Sequence, residues 1–197
     1  GARQGPPAFY DRLNHGKRSV ALDPRTPAGH ARWQALFAAA DIVIEASRPR
    51  ALRQLGFEPE ALVRAQGLTW ISLSGYGREE PQAQWVAYGD DAGVAGGLSA
   101  RLRQQTGERL FVGDAIADPL TGLHAALAAW QGWQAGGGEL VALALRDVIA
   151  QLVHFDWPAA PPLPVAAALP LPDPAPAAAR PLGADTAAVL LEWTGAC

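Results

Sequence analysis

The sequence predicts an α/β fold with a mainly parallel sheet and flanking helices. Three observations point to it. Short apolar, β-branched runs alternate with longer amphipathic stretches, as strands do when crossover helices join them. Several helical stretches open on a proline, and others stop at a glycine. Each strand-like run empties into loop-forming or helix-starting residues, and ligands bind beyond such carboxyl ends in a parallel sheet.

Residues 1–18 are polar and turn-rich and end in the basic cluster Asn14-His15-Gly16-Lys17-Arg18. Ser19-Val20-Ala21-Leu22 reads as a short buried strand. Thr26-Pro27 opens a helix in which Trp33, Leu36, Phe37 and Ala40 share one face. Asp41-Ile42-Val43-Ile44-Glu45 is the clearest strand. Pro49 begins a helix that stops at Gly56, and Pro59 begins another through Leu62, Val63 and Ala65. Leu68-Thr69-Trp70-Ile71-Ser72-Leu73 is the next strand and runs into Ser74-Gly75-Tyr76-Gly77. The loops after Leu22, Glu45 and Leu73 would share one rim of the sheet.

Residues 78–113 look irregular; Asp90 to Leu98 is rich in small residues and fits either a closely packed helix or a loop. Asp118-Pro119 reads as an N-cap followed by a first-turn proline, with Leu120, Leu123, Leu127 and Trp130 behind it at helical spacing to about Gln134. Glu139 to Ala144 reads as a strand and Arg146 to Val153 as a helix. At Trp157 the composition shifts: nine prolines lie between Pro158 and Pro181, too many for a regular helix or central strand. The expected organisation is an α/β domain over 1–156, a Pro/Ala-rich extended arm over 157–181, and a C-terminal helix within 182–197.

Composition narrows the chemistry. Of the 197 residues, 49% are hydrophobic and 18% charged, enough apolar material for a core. The net charge of −3 gives no general attraction to nucleic acid. No apolar run approaches the length of a membrane span, and residues 1–7 read as the middle of a loop rather than a signal or transit peptide, so a cytoplasmic protein is expected. The single cysteine, Cys197, makes a disulfide framework or Cys-rich metal site untenable. The four histidines show no metal spacing, and His124 lies too far along the helix from Asp118 to pair with it directly. Ser74 lacks a nucleophile elbow, and Gly136-Gly137-Gly138 precedes a strand rather than a helix. Asp90 and Asp91 lack a third ligand, so a capping or solvated role is the simpler reading. Lys17, Arg18 and Arg25 at the rim would suit an anionic ligand, but an isolated basic cluster reads first as solvated surface. On the residues alone, Asp118 reads first as a plain cap and second as a working carboxylate.

Taken in order, these stretches resemble the class III CoA-transferases, the group that includes formyl-CoA transferase, carnitine CoA-transferase and α-methylacyl-CoA racemase. The resemblance runs through Asn14-His15-Gly16-Lys17-Arg18-Ser19 with Thr26-Pro27, then Asp41-Ile42-Val43-Ile44-Glu45 with Arg48-Pro49 and Leu55-Gly56. It continues through Ser72-Leu73-Ser74-Gly75-Tyr76-Gly77, Asp118-Pro119-Leu120-Thr121-Gly122, Gly136-Gly137-Gly138-Glu139 and Leu182-Gly183-Ala184-Asp185-Thr186. It implies the Rossmann-like large domain of that family, with the small domain absent and the family's first strand–loop–helix–strand lying outside these residues.

The resemblance further implies that Asp118 matches the catalytic aspartate, a carboxylate that attacks an acyl-CoA thioester and then passes CoA to an acceptor carboxylic acid. CoA contacts would fall on Leu22, Arg25, Ala46, Ser47, Arg48, Gln54, Val86, Tyr88 and Gly89. Coenzyme A or acyl-CoA would be substrate rather than a resident cofactor, and the chain would form a homodimer, interlocked in this family. Departures are the usual Arg replaced by Gln54, the usual Asn by Ala46, and a polar or acidic position by Gly89. Racemase members carry His where this chain has Tyr88, so the two-base route lacks a base. A binding or assembly module that kept the fold without turnover is the rival reading.

Overall fold

The computed structural model describes residues 7–155 and 177–195. The chain divides into two compact units: Ala40–Asp156, and Gly1–Ala39 together with Trp157–Cys197. Most of the expected proline-rich arm, residues 157–176, and Cys197 lie outside the described residues.

The first unit is built on three parallel strands, β1 (Ile42–Glu45), β2 (Thr69–Ser74) and β3 (Glu139–Ala144), in the order β1-β2-β3. The register aligns Ile44 with Ile71 and Ile71 with Val141. In the central strand Thr69, Trp70, Ile71 and Ser72 are all buried, because helices cover both faces of a parallel sheet. β1 is an edge strand and leaves Ile44 60% exposed. The helices α3 (Pro49–Gln54) and α4 (Pro59–Gln66) link β1 to β2, each opening on proline. Arg78 ties this layer together: its guanidinium, 11% exposed, donates to Ser72 Oγ at 2.7 Å and to Glu60 Oε1 at 2.6 Å.

Residues 78–113 are less irregular than the sequence suggests. They hold a 3-10 turn at Gln82–Gln84 and the helices α5 (Gly89–Ala95) and α6 (Leu98–Thr106). Glycines at 96, 97 and 107 separate or end these helices and obscure their periodicity. α7 (Ala117–Gln134) and α8 (Leu145–His154) complete the unit.

α7 is turned over relative to its sequence pattern. Ala117, Thr121, Ala125, Ala129 and Gly132 are its buried residues. Leu123, Leu127 and Trp130 point outward and are 69%, 56% and 55% exposed. Only Leu120 of the expected stripe packs into the core, beside Ala92, Ala117 and Ile149. Small residues let the helix backbone sit close to the sheet, where Ala125 and Ala129 touch Ile71 and the neighbouring Leu73, Val141 and Leu143. At Gly132 the approach is tight: a Cβ there would lie 2.5 Å from Glu139 Oε1 and 2.7 Å from Thr69 Cγ2.

In the second unit, residues 7–18 hold a helix, α1 (Pro7–Asn14), where the sequence suggested only turns. α2 (Pro27–Ala39) begins as expected, with Thr26 Oγ1 accepting the Gly29 N–H at 3.0 Å. Its buried Phe37 lies 5.4 Å, ring to ring, from Trp33. Ser19–Leu22 is not a strand. Side chains of the C-terminal segment accept its N–H groups in place of a ladder. Asp185 Oδ2 accepts the Ser19 N–H at 2.8 Å and Thr186 Oγ1 accepts the Ala21 N–H at 3.0 Å. The Ser19 N–H, with Arg180 beside it, holds the Asp185 carboxyl below the ordinary range. These bonds anchor α9 (Thr186–Thr194), the expected final helix.

The reversed face of α7 makes a measurable prediction. Ala129→Leu forces a side chain between helix and sheet and should cost about 1–3 kcal/mol in urea denaturation. Leu127→Ala should change stability by no more than about 0.5 kcal/mol.

Candidate active site

The rim beyond the carboxyl ends of the strands gathers the polar residues of the first unit. Gly75, just after β2, packs on Ala87 so tightly that a Cβ at 75 would lie 2.2 Å from the Ala87 Cβ. This brings residues 85–88 to the rim. Tyr76 stacks edge-on against Trp85, 5.4 Å between ring centres, and its hydroxyl donates to Asp91 Oδ2 at 3.3 Å. The other oxygen of Asp91 accepts the Tyr88 N–H, so Asp91 caps α5, in keeping with its expected role.

Gly89, the first residue of α5, is buried and meets Asp118. A Cβ at 89 would lie 2.5 Å from Asp118 Oδ2 and 2.5 Å from the Ala115 carbonyl oxygen, so only glycine fits. The Gly89 backbone N–H, beside this carboxylate, favours its charged form. Asp118 is not the N-cap of α7. It is the second residue of the helix, with Ile116 in the cap position and no side-chain cap bond there. Its own N–H bonds to the Ala115 carbonyl at 2.9 Å, and its carboxylate is therefore free to turn towards α5. A first-turn aspartate is favoured by the helix dipole, and Pro119 gives up an N–H that has no partner within the helix.

The turn that delivers Asp118 is strained. Ala115 has φ 49, a left-handed conformation that costs a non-glycine residue about 1 kcal/mol. Asp90 holds it there: Asp90 Oδ1 accepts the Ala115 N–H at 2.8 Å. The sequence reading missed this contact, because nothing local links residues 90 and 115.

These neighbours set the charge state of Asp118. Burial raises its pKa above the ordinary value, and the negative charges of Asp90 and Asp91 raise it further, against the opposing Gly89 N–H. The result is an exposed carboxylate that holds its proton more tightly than an ordinary aspartate, with the Gly89 backbone packed beside it. His124 takes no part: its Nδ1–H donates to the Leu120 carbonyl at 2.8 Å.

The remaining expected residues are spread more widely. Tyr88 adjoins Gly89 but is 71% exposed, and Val86 lies in the segment leading to it. Ala46, Ser47 and Arg48 form the loop after β1. Ser47 Oγ donates to Glu45 Oε1 at 2.5 Å, and Trp70 Nε1 donates to Glu45 Oε2 at 3.2 Å. Glu45 thus fixes that loop from beneath, a positioning role that its strand-end place in the sequence does not announce. Arg48 caps α3 and Gln54 ends it, both exposed. Leu22 and Arg25 belong to the second unit. The Arg25 guanidinium is held by Asp23, Nε to Oδ1 at 2.8 Å and Nη2 to Oδ2 at 2.9 Å. Among the described residues the structure brings Tyr88, Gly89 and Asp118 to one point, and no hydrogen bond joins the 46–48 loop or Gln54 to them. Also among these residues, no group of three or more His, Cys, Asp or Glu is placed to hold a metal, and no helix is long and apolar enough to cross a membrane.

A carboxyl whose pKa is raised on folding binds its proton more tightly in the folded state. Its ionisation therefore costs stability as pH rises through the interval between the ordinary and the raised value. Asp118→Asn removes the charge. Its Tm should exceed that of the parent at pH 7, with the gap closing once pH falls below the ordinary aspartate range; thermal scans across pH check this.

A family model described as CoA-transferase family III matches residues 1–174. A succinate–glutarate CoA-transferase of Agrobacterium fabrum is 31% identical over 146 residues, 72% of this chain and 36% of that protein. A formyl-CoA:oxalate CoA-transferase of Afipia carboxidovorans is 31% identical over 149 residues, 73% of this chain and 35% of that protein. This chain thus spans about a third of the length of the curated relatives it matches. Among solved structures, a CAIB/BAIF family protein from Brucella suis aligns with TM-score 0.62 at 29% identity, covering 75% of this chain and 40% of that one. A hypothetical protein from Mycobacterium tuberculosis aligns with TM-score 0.60 at 26% identity, covering 71% of this chain and 41% of that one. With the ordered motifs, the parallel sheet and these matches in agreement, the chain belongs to CoA-transferase family III.

Proposed function

We propose that the protein moves CoA between carboxylic acids, with Asp118 as the nucleophile. The observation that carries this reading is the Asp118 carboxylate itself, basic for an aspartate and open to an incoming thioester on the side away from Gly89. The carboxylate attacks the thioester carbonyl of an acyl-CoA, the C–S bond breaks, and CoA leaves as thiolate with an acyl-aspartyl anhydride behind it. The thiolate attacks the aspartyl carbonyl and releases the first acid, leaving an aspartyl-CoA thioester. An acceptor carboxylate repeats the two steps in reverse order and leaves as the new acyl-CoA. Raised basicity strengthens the nucleophile, and close packing of Asp118 Oδ2 on the Gly89 backbone leaves the other oxygen to face the substrate.

CoA is substrate in this scheme. Ala46, Ser47, Arg48, Gln54, Val86, Tyr88 and Gly89 are its proposed contacts in the first unit, supported by the rim position of the 46–48 and 85–89 segments. Leu22 and Arg25 join them on the family's pattern alone. A carboxylic acid acceptor, a homodimer and a cytoplasmic location come with the same reading. Relatives named for succinate, glutarate, formate and oxalate direct the first assays to small acids.

The rival is a module that binds CoA without turnover. It is favoured by Ala46 and Gln54, which stand where the family pattern has an Asn and an Arg. Exchange of labelled succinate into succinyl-CoA, and of oxalate against formyl-CoA, separates the two. The enzyme reading expects exchange that falls by about a thousandfold or more in Asp118→Ala, since a covalent nucleophile leaves no route when removed. CoA binding with no exchange in the parent chain would select the module.

A further inference from the structure

A concavity of the first unit lies apart from the residues described around Asp118. It is a groove of about 660 Å³ between α6 and the segment that returns along it after Gly107. Gly107, with φ 80, reverses the chain, and the Ser99 hydroxyl fastens the return by donating to the Leu110 carbonyl at 2.8 Å. The walls are Val94, Leu110 and Phe111, with Phe111 67% exposed. Among the described residues, the charged groups in the lining are Arg103 from α6 and Arg109 from the return segment. Neither guanidinium has an ion-pair partner among the described residues.

The inner end of the groove narrows to a space of about 10 Å³, room for a single water, which shares Val94, Ser99 and Phe111 with it and is closed by Asp90 and Ile116. Among the described residues, Asp118 lines neither space. The groove is a site of its own, and its existence does not depend on the chemistry assigned to Asp118.

We propose that this groove binds a small amphiphilic acid, its apolar chain on Val94, Leu110 and Phe111 and its carboxylate between Arg103 and Arg109. The volume suits a ligand of that size, and a few charged groups at the edge of an apolar cleft fix orientation. Two guanidiniums without ion-pair partners among the described residues complement an anionic head, and a cationic head beside them would meet like charge.

The test titrates the full chain with decanoate by calorimetry, beside decyltrimethylammonium and acetate. Decanoate should bind saturably, with Kd of about 1 mM or tighter, and acetate and the cationic amphiphile should not. Arg103→Ala with Arg109→Ala should weaken decanoate by about tenfold or more. Both residues are exposed, so the double variant should keep the parent's thermal transition. Asp118→Ala should leave decanoate binding unchanged, so the groove and the proposed catalysis fail or stand separately. Equal binding of the cationic amphiphile, unchanged affinity in the double variant, or the absence of saturable decanoate binding would each overturn the assignment.

Discussion

The close approach of the Asp118 carboxylate to the Gly89 backbone is the constraint on which the rest of the site depends. No side chain fits at residue 89. For the two to meet, α7 must begin after a left-handed turn at Ala115, and Asp90 must reach across to hold that turn by its N–H. The same arrangement puts Asp90 and Asp91 near Asp118 and makes its proton harder to remove. Strain at Ala115 and repulsion among aspartates are costs that a purely structural helix start has no reason to carry. They are accounted for if the carboxylate is to act as a nucleophile.

The position of Asp118 depends in turn on the inner face of α7. Ala125, Ala129 and Gly132 let the helix lie close on β2 and β3, so that its first turn arrives at the rim where Gly75 and Ala87 interlock. Larger inward residues would lift the helix off the sheet and open the gap between Asp118 and Gly89. The large side chains displaced to the outer face, Leu123, Leu127 and Trp130, follow from the same choice.

Much of the fold was legible because its boundaries are written in local chemistry. Pro27, Pro49 and Pro59 each open a helix, and the β-branched run Ile42-Val43-Ile44 is a strand. What was not legible depends on contacts distant in sequence. Ser19–Leu22 has strand-like composition, but Asp185 and Thr186 satisfy its N–H groups. The face of α7 could not be chosen from periodicity, because both its small and its large residues repeat at helical spacing. α6 was a missed local signal: Leu98 and Leu102 stand four apart among good helix formers, between Gly97 and Gly107. At the site, the motif resemblance drew attention to Asp118 and Gly89 separately. Their contact, and the hold of Asp90 on Ala115, exist only in three dimensions.

The most direct measurement is a ¹³C NMR titration of the Asp118 carboxyl, assigned against Asp118→Asn, in the parent chain and in Asp90→Asn. Asparagine at 90 still accepts the Ala115 N–H, so the comparison isolates the charge. The account predicts a pKa above the ordinary aspartate value of about 3.9 in the parent, moving back towards it in Asp90→Asn. An ordinary value that does not respond to residue 90 would contradict the account and return Asp118 to the role of a plain first-turn aspartate.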